Sequence, residues 1–426
     1  KGMKQEIKER VEKIHNGEVP EGYRKTKVGI IPDDWTLDNL KIHVSSFIVP
    51  MRDKPKIFSG DIPWCRIEDF QGKYLEKSLS NQNVSKETID EMNLRVYPKG
   101  TVLCSCSARL GICTIVRKPL VTNQTFIGLV PKEELDNEFL YYFMGFKCEK
   151  LQKLSSGTTI SYLSREEFEN FPITYTTLKE QKKIISIIST WDKAIELKEK
   201  LIEEKKEFKK GLMQKLLTGK IRFPEFTDEW MEIDLNKIVK KINNKNDEKN
   251  QTIVTISAKK GFVNQNEYFN KIVASQDLSN YYLIRKGDFA YNKSYSNGYP
   301  VGVIKRLESF EKAVVTTLYI CFRIKNQTVS SNFLKYYFDS VLLNRQIKRI
   351  ANEGGRAHGL LNVTPSDFFN IEIKIPDIYE QEKIADVLMS QDKKIHLMEL
   401  TLEQLKEQKR GLMQLLLTGI VRVEVD

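Results

Sequence analysis

An α+β fold is predicted, with two mixed segments of strands and short helices separated by an antiparallel coiled-coil pair of long helices. The arrangement is an internal pseudo-twofold repeat. Three observations predict it. The first is the repeat itself: Gly211-Leu-Met-Gln-Lys-Leu-Leu-Thr-Gly219 recurs 200 positions later as Gly411-Leu-Met-Gln-Leu-Leu-Leu-Thr-Gly419. From Glu180 to Arg222 and from Glu380 to Arg422 the two stretches align without a gap and are identical at about half their positions. The second is the heptad spacing of apolar residues within both stretches. The third is the character of the sequence before each, where short β-branched and aromatic runs are separated by Gly, Asn and Lys turns.

The long helices follow from spacing. Ile384, Leu388, Gln391, Ile395, Met398, Leu402, Leu405, Leu412 and Leu416 form a seam of alternating four- and three-residue steps, interrupted by Lys409. The first copy holds Ile184, Ile188, Trp191, Ile195, Ile202, Leu212 and Leu216, with Lys198, Lys205 and Lys209 on its seam. These lysine stems are expected to snorkel outwards. Two matching registers on one chain favour packing one helix against the other, antiparallel. A helix from 180 to 217 is roughly 57 Å long at ~1.5 Å per residue. Gly219 and Gly419 are expected as helix stops. Gly211 and Gly411 sit inside the seam, where they allow either close helix–helix approach or a notch for a partner.

The mixed segments echo one another. The openings are Gly29-Ile-Ile-Pro-Asp-Asp-Trp35 and Arg222-Phe-Pro-Glu-Phe-Thr-Asp-Glu-Trp230. Lys-Gly turns follow, Lys99-Gly100 and Lys286-Gly287, each before an apolar strand pattern. Amphipathic helices come next, Glu138-Phe-Leu-Tyr-Tyr-Phe-Met144 and Asn332-Phe-Leu-Lys-Tyr-Tyr-Phe338. The closing phrases run from Leu163 to Phe168 and from Val363 to Phe368. Between these anchors the copies differ freely. The division is therefore 1–177 and 222–377 for the mixed segments, with 178–221 and 378–426 for the helices.

The 426 residues suit several domains, and 40% apolar content is enough for real cores. Lys and Arg number 68 against 57 Asp and Glu, a net +11 that points to a polyanionic partner. No apolar run approaches a membrane span, and no signal-peptide core opens the chain, so a cytoplasmic location is expected. Cys104, Cys106 and Cys113 alternate in an apolar run as reduced strand residues rather than a zinc site. There is no Gly-rich nucleotide fingerprint, no P-loop and no Asn-Pro-Pro or Asp-Pro-Pro before an aromatic residue, and the four histidines are scattered. Catalysis is not expected.

Taken in order, Asn16-Gly-Glu-Val-Pro-Glu-Gly-Tyr23, Gly60-Asp-Ile-Pro-Trp64, Thr122-Asn-Gln124, Glu180-Gln-Lys-Lys183 and the doubled Gly-Leu-Met-Gln…Leu-Leu-Thr-Gly resemble the specificity subunit of type I restriction-modification enzymes, over essentially the whole chain. The resemblance implies two target recognition domains, each reading one half of a bipartite asymmetric sequence in double-stranded DNA. It implies helices that set the spacer and dock two adenine methyltransferase subunits, which bring S-adenosylmethionine. Two motor-nuclease restriction subunits with ATP and Mg would join them, and no cofactor or metal would bind this chain. Reading bases requires amide, guanidinium and hydroxyl groups on loops. The candidates are Arg66, Ser105, Ser107, Arg109, Asn123, Gln124 and the turn of Gly157, Thr158 and Thr159 in the first domain. In the second they are Tyr291, Asn292, Lys293, Ser294, Tyr295, Asn297, Arg356 and His358. The candidate partner-binding residues are Gly211, Leu212, Gln214, Gly411, Leu412 and Gln414. Two rival readings are a coiled-coil protein scaffold that reads no DNA, and the recognition part of a fused methyltransferase-nuclease.

Overall fold

The computed structural model describes residues 2–50, 54–106, 111–147, 163–269, 277–295, 298–351 and 361–425. The chain forms two compact units, Lys1–Glu199 with Leu400–Asp426, and Lys200–Glu399. Each unit therefore takes one mixed segment and part of each long helix.

In the first unit a five-stranded sheet runs in the order Val44–Ile48, Phe126–Pro131, Val102–Ser105, Cys113–Val116, Tyr74–Leu75. Strands Val102–Ser105 and Cys113–Val116 are buried along their whole length because both sheet faces are covered, which is why they read as continuous apolar runs. One face packs on helix Asn137–Phe146 through Phe139, Leu140 and Phe143, and onward to Ile184, Ile185 and Ile188 of the first long helix. The other face covers a smaller cluster of Cys65, Leu75, Tyr97, Leu103, Val116 and Leu120. In the second unit the sheet order is Val239–Ile242, Ile320–Ile324, Phe289–Asn292, Val303–Arg306. It packs on helix Ser331–Asp339 and on Ile384, Ala385 and Leu388 of the second long helix. The anticipated Lys-Gly turns are present, with Gly100 at φ +88° and Gly287 at φ +90°.

The long helices span Leu178–Leu216 and Ile378–Leu417. Each leaves a strand that pairs antiparallel with the entry strand of its own segment: Thr36–Asn39 with Pro172–Tyr175, and Met231–Asp234 with Glu372–Ile375. Within each unit the helix segments run antiparallel. Lys406 reaches Glu199 at 2.9 Å and Lys409 reaches Asp192 in the first unit. Lys206 reaches Glu399 at 2.7 Å and Lys209 reaches Asp392 at 2.5 Å in the second. Ile184, Ile188, Ile202 and Leu216 are buried, as are Ile384, Leu388, Ile395, Leu402 and Leu416.

The expectation that the seam lysines point outwards needs correction at Lys209. Its ammonium turns inwards to Asp392 and lies 5.2 Å from the centroid of the Tyr336 ring. Lys409, the interruption in the other seam, does the same with Asp192 and Tyr142. A carboxylate and an aromatic face make the inward position cheaper than a snorkelled one. Lys205 remains exposed, over the ring of Phe208.

The helix stops are as expected, with Gly219 at φ +67° and Gly419 at φ +71°. A Cβ on Gly419 would lie 2.7 Å from Pro32, and Trp35 closes on the same glycine. That contact explains why an Ile-Pro-Asp-Asp-Trp phrase opens the first segment. Trp230 packs correspondingly on Gly219.

Candidate nucleic-acid interface and helix junctions

The repeated Glu-Gln that opens each long helix is a junction. Gln181 is fully buried; its amide oxygen accepts from the Asp136 N–H at 2.8 Å, and its nitrogen donates to the carbonyls of Glu134 and Thr176 at 2.9 and 2.7 Å. Gln381 repeats this with the Ser330 N–H at 2.9 Å and the carbonyls of Thr328 and Pro376 at 3.2 and 2.8 Å. Glu380, buried to 1% exposure, accepts two hydrogen bonds from Arg222 at 2.9 and 2.7 Å and one from the Trp230 indole at 3.2 Å. In the first unit Arg422 forks onto Glu180 at 2.7 and 2.8 Å and onto Asp34 at 2.8 and 2.9 Å. These fork pairs push both guanidinium groups further above their ordinary range. They explain the conspicuous Arg after each Leu-Thr-Gly.

A second junction was not anticipated. The Tyr142 hydroxyl donates to Asp192 Oδ2 at 2.5 Å, while Lys409 holds the other carboxylate oxygen and lies over the tyrosine ring. Tyr336, Asp392 and Lys209 form the same triad, with the hydroxyl at 2.7 Å and the ammonium at 2.5 Å. Burial, with the carboxylate beside it, pushes each phenol far above its ordinary value. The shared 200-residue offset of the Asp and Lys was a signal in the sequence. Beside the first triad is a cleft of 680 Å³ lined by Phe146, Ile195, Lys406, Arg410, Met413 and Gln414; beside the second is one of 470 Å³ reaching Met213 and His396.

The reading candidates fall into three groups. Ser107, Arg109, Gly157, Thr158, Thr159, Asn297, Arg356 and His358 lie outside the described residues. Two others are core positions and are corrected here. Ser105 is 1% exposed in a central strand. Tyr291 is wholly buried, stacked on Phe368 at 5.1 Å, with its hydroxyl committed to the Val301 carbonyl at 2.7 Å. Its strand position, alternating inwards, makes it part of the platform rather than its surface.

Apart from Arg66, the remaining candidates gather at one end of each sheet. The Cys106 N–H, just past the strand, donates to Thr125 at 3.0 Å, and Cys106 accepts from the Leu163 N–H at 2.9 Å. Half-buried Asn123 and exposed Gln124 therefore adjoin the approaches to both candidate loops, and Asn123 accepts from the Thr125 hydroxyl at 2.9 Å. In the second unit the Leu361 N–H donates to the Lys293 carbonyl at 3.1 Å, and the Lys293 ammonium donates to the Val363 carbonyl at 3.3 Å. Partial burial lowers the Lys293 pKa. Asn292 accepts from the Ser294 N–H at 3.0 Å, and Tyr295 is 61% exposed. Arg66 stands apart from these groups: it is half-buried, and its guanidinium donates to Gln82 at 2.6 Å.

The sequence reading missed one basic feature of the second unit. Strands Val254–Ser257 and Gly261–Asn264 form a hairpin whose tip holds exposed Lys259 and Lys260, neither with an ion-pair partner among the described residues. Ile256 and Phe262 anchor it in the core beside Tyr299 and Val303, and the Tyr319 hydroxyl bonds Thr255 at 3.1 Å. Ala-Lys-Lys-Gly between two β-rich runs was the available signal.

At the partner candidates, Leu212 and Leu412 pack against the cores of their own units, while Gln214 and Gln414 are exposed. A Cβ built on Gly211 or Gly411 meets nothing within 4 Å, so neither glycine serves a close helix–helix approach. Cys104 and Cys113 are buried free thiols with sulfurs 3.4 Å apart, and burial pushes the Cys106 thiol up to about 11. Among the described residues no cluster of His, Cys, Asp or Glu could hold a metal, and no helix is long and apolar enough to cross a membrane.

Fold and junctions together define a duplicated α+β scaffold carried on long helices. The chain belongs to the family of the type I restriction modification DNA specificity domain, whose sequence profile matches residues 50–206 and again 227–407. It is similar to the type I restriction enzyme MjaIX specificity subunit of Methanocaldococcus jannaschii, 33% identical over 183 residues that make up 42% of each chain. It is also similar to the MjaVIII specificity subunit of the same organism, 24% identical over 92% of this chain and 94% of that one. Among solved structures, a chain from a study of complex assembly and conformational transition of the type I R-M system shares the fold. Its TM-score is 0.58 at 15% identity, over 92% of this chain and 99% of that chain.

Proposed function

We propose that this chain is the DNA-reading, non-catalytic subunit of a type I restriction-modification complex in the cytoplasm. Residues 1–177 and 222–377 each read one half of a bipartite asymmetric target, and the helices of 178–221 and 378–426 set the spacer. Two methyltransferase subunits dock on the helices near Gly211, Leu212, Gln214, Gly411, Leu412 and Gln414. Those subunits carry S-adenosylmethionine, and motor-nuclease subunits carry ATP and Mg. The observation that carries this reading is that the described residues flanking the divergent polar segments meet at one sheet end, at Cys106 in one unit and Lys293 in the other. A fixed scaffold with variable polar loops suits base readout, whereas a protein scaffold would not need two unlike loop sets. The lysine pair of the 254–264 hairpin would add phosphate contacts beside the second set.

The test exchanges residues 222–377 for the matching segment of a relative and maps methylated adenines in cells. One half-site should change while the other half and the spacer stay. Changes at both halves would reject the division of labour.

A further inference from the structure

We propose that the Tyr142–Asp192–Lys409 and Tyr336–Asp392–Lys209 triads are positioning elements: each fixes the angle at which a reading domain is held on the helix pair, and so sharpens discrimination between spacer lengths. The inference rests on the DNA-reading function proposed above.

Each domain is also held to its helices by other contacts. In the first unit one is apolar, from Phe139, Leu140 and Phe143 to Ile184, Ile185 and Ile188. Apolar burial is non-directional and resists separation better than it resists sliding or rotation. Gln181, together with the Arg422 fork onto Glu180 and Asp34, fixes one point, at the start of the helix. A single fixed point leaves a hinge. The triad supplies the second point, about three turns further along the helix. There Asp192 is gripped by a phenol from the domain and by an ammonium from the opposite helix. Charge-assisted hydrogen bonds to both carboxylate oxygens are strongly directional. The second unit builds the same two points from Gln381 and Asp392.

Two points define an orientation, and orientation is what the spacer measures. Adding one base pair displaces a half-site by about 3.4 Å and turns it by about 35° around the helix axis. A domain that can rock about its Gln hinge will accept part of that change.

The experiment uses the full chain with its methyltransferase subunits and measures affinity for duplexes with the native spacer and with one base pair more or fewer. Tyr142→Phe keeps the packed ring and removes the hydroxyl; Asp192→Asn removes the charge. Each should lower the preference for the native spacer about tenfold, the scale of one lost charge-assisted hydrogen bond. Base preference within each half-site should not change. Lys406→Ala, which removes the exposed ion pair to Glu199, should leave the spacer preference intact. Equal loss at all three spacers, or an undiminished preference in folded Tyr142→Phe, would overturn the positioning role. If the unsubstituted complex showed no preference for any bipartite duplex, the DNA-reading function itself would fall instead.

Discussion

Alanine at Gly211 and Gly411 separates what the helix needs from what a partner needs. Both glycines lie inside long helices, and neither is held at a positive φ. Glycine in a helix interior costs about 0.8–1.0 kcal/mol relative to alanine. An added Cβ meets nothing within 4 Å at either position, so no packing penalty offsets the gain. Each substitution should therefore stabilise its own unit by about 0.8–1.0 kcal/mol. For units of roughly 200 residues that is about 2–4 °C in melting temperature. Thermal and urea melts of the isolated chain read this directly. A fall in stability would show that the helix surface there is not open and would refute the reasoning. The same variants then test the dock. If a partner side chain seats over the glycines, an intruding methyl costs about 1–3 kcal/mol, or roughly 5- to 150-fold in methyltransferase affinity. Higher stability with unchanged assembly would leave the glycines without a partner role.

Three further outcomes are expected. Replacing Lys259 and Lys260 together by alanine should lower the slope of log affinity against log salt by about 1.8, at ~0.9 per phosphate contact, with sequence preference retained; an unchanged slope removes the hairpin tip from the DNA. Glu380→Gln removes the counter-charge of half-buried Arg222 and should lower the urea denaturation midpoint, and an unchanged midpoint would mean that solvent replaces the pair. Burial opposes ionisation of Glu138, but hydrogen bonds from Lys73 and Tyr74 outweigh it and hold its carboxyl below the ordinary 4.5. Its contribution is therefore complete above about pH 4.5 and lost as pH falls through the folded value, so Glu138→Gln should flatten the acid side of the melting-temperature profile.

Legibility in the sequence followed the physics of each feature. The helices were readable because heptad spacing and a gap-free repeat are local patterns, and the Lys-Gly turns because a positive φ selects glycine. The repeated Glu-Gln and terminal Arg were visible as motifs. Their function was not, because Glu380 meets Arg222 across 158 residues and Arg422 meets Glu180 across 242. Tyr291 was misplaced for a related reason. A tyrosine beside Asn292 and Lys293 reads as a polar loop until strand pairing turns its ring inwards against Phe368.

The seam lysines show why such errors cluster at long-range contacts. Read along one helix, Lys209 is a flaw in a heptad and snorkelling is the economical remedy. Asp392, one residue past Gln391 of the other seam, is an ordinary half-buried carboxylate when read along its own helix. Only its meeting with Asp392, with the Tyr336 hydroxyl as third member, turns that local defect into a satisfied group. The repeat contained a clue to this, since Asp192 and Lys409 form the same carboxylate and seam-lysine pair at the same offset. A defect retained in both copies of a duplicated helix, always with its complement, is better explained by a partner inside the fold than by tolerance at the surface. The same logic assigns Gly211 and Gly411 differently. They too are retained in both copies, and a Cβ on either meets nothing within 4 Å, so the alanine variants decide whether a partner docks there.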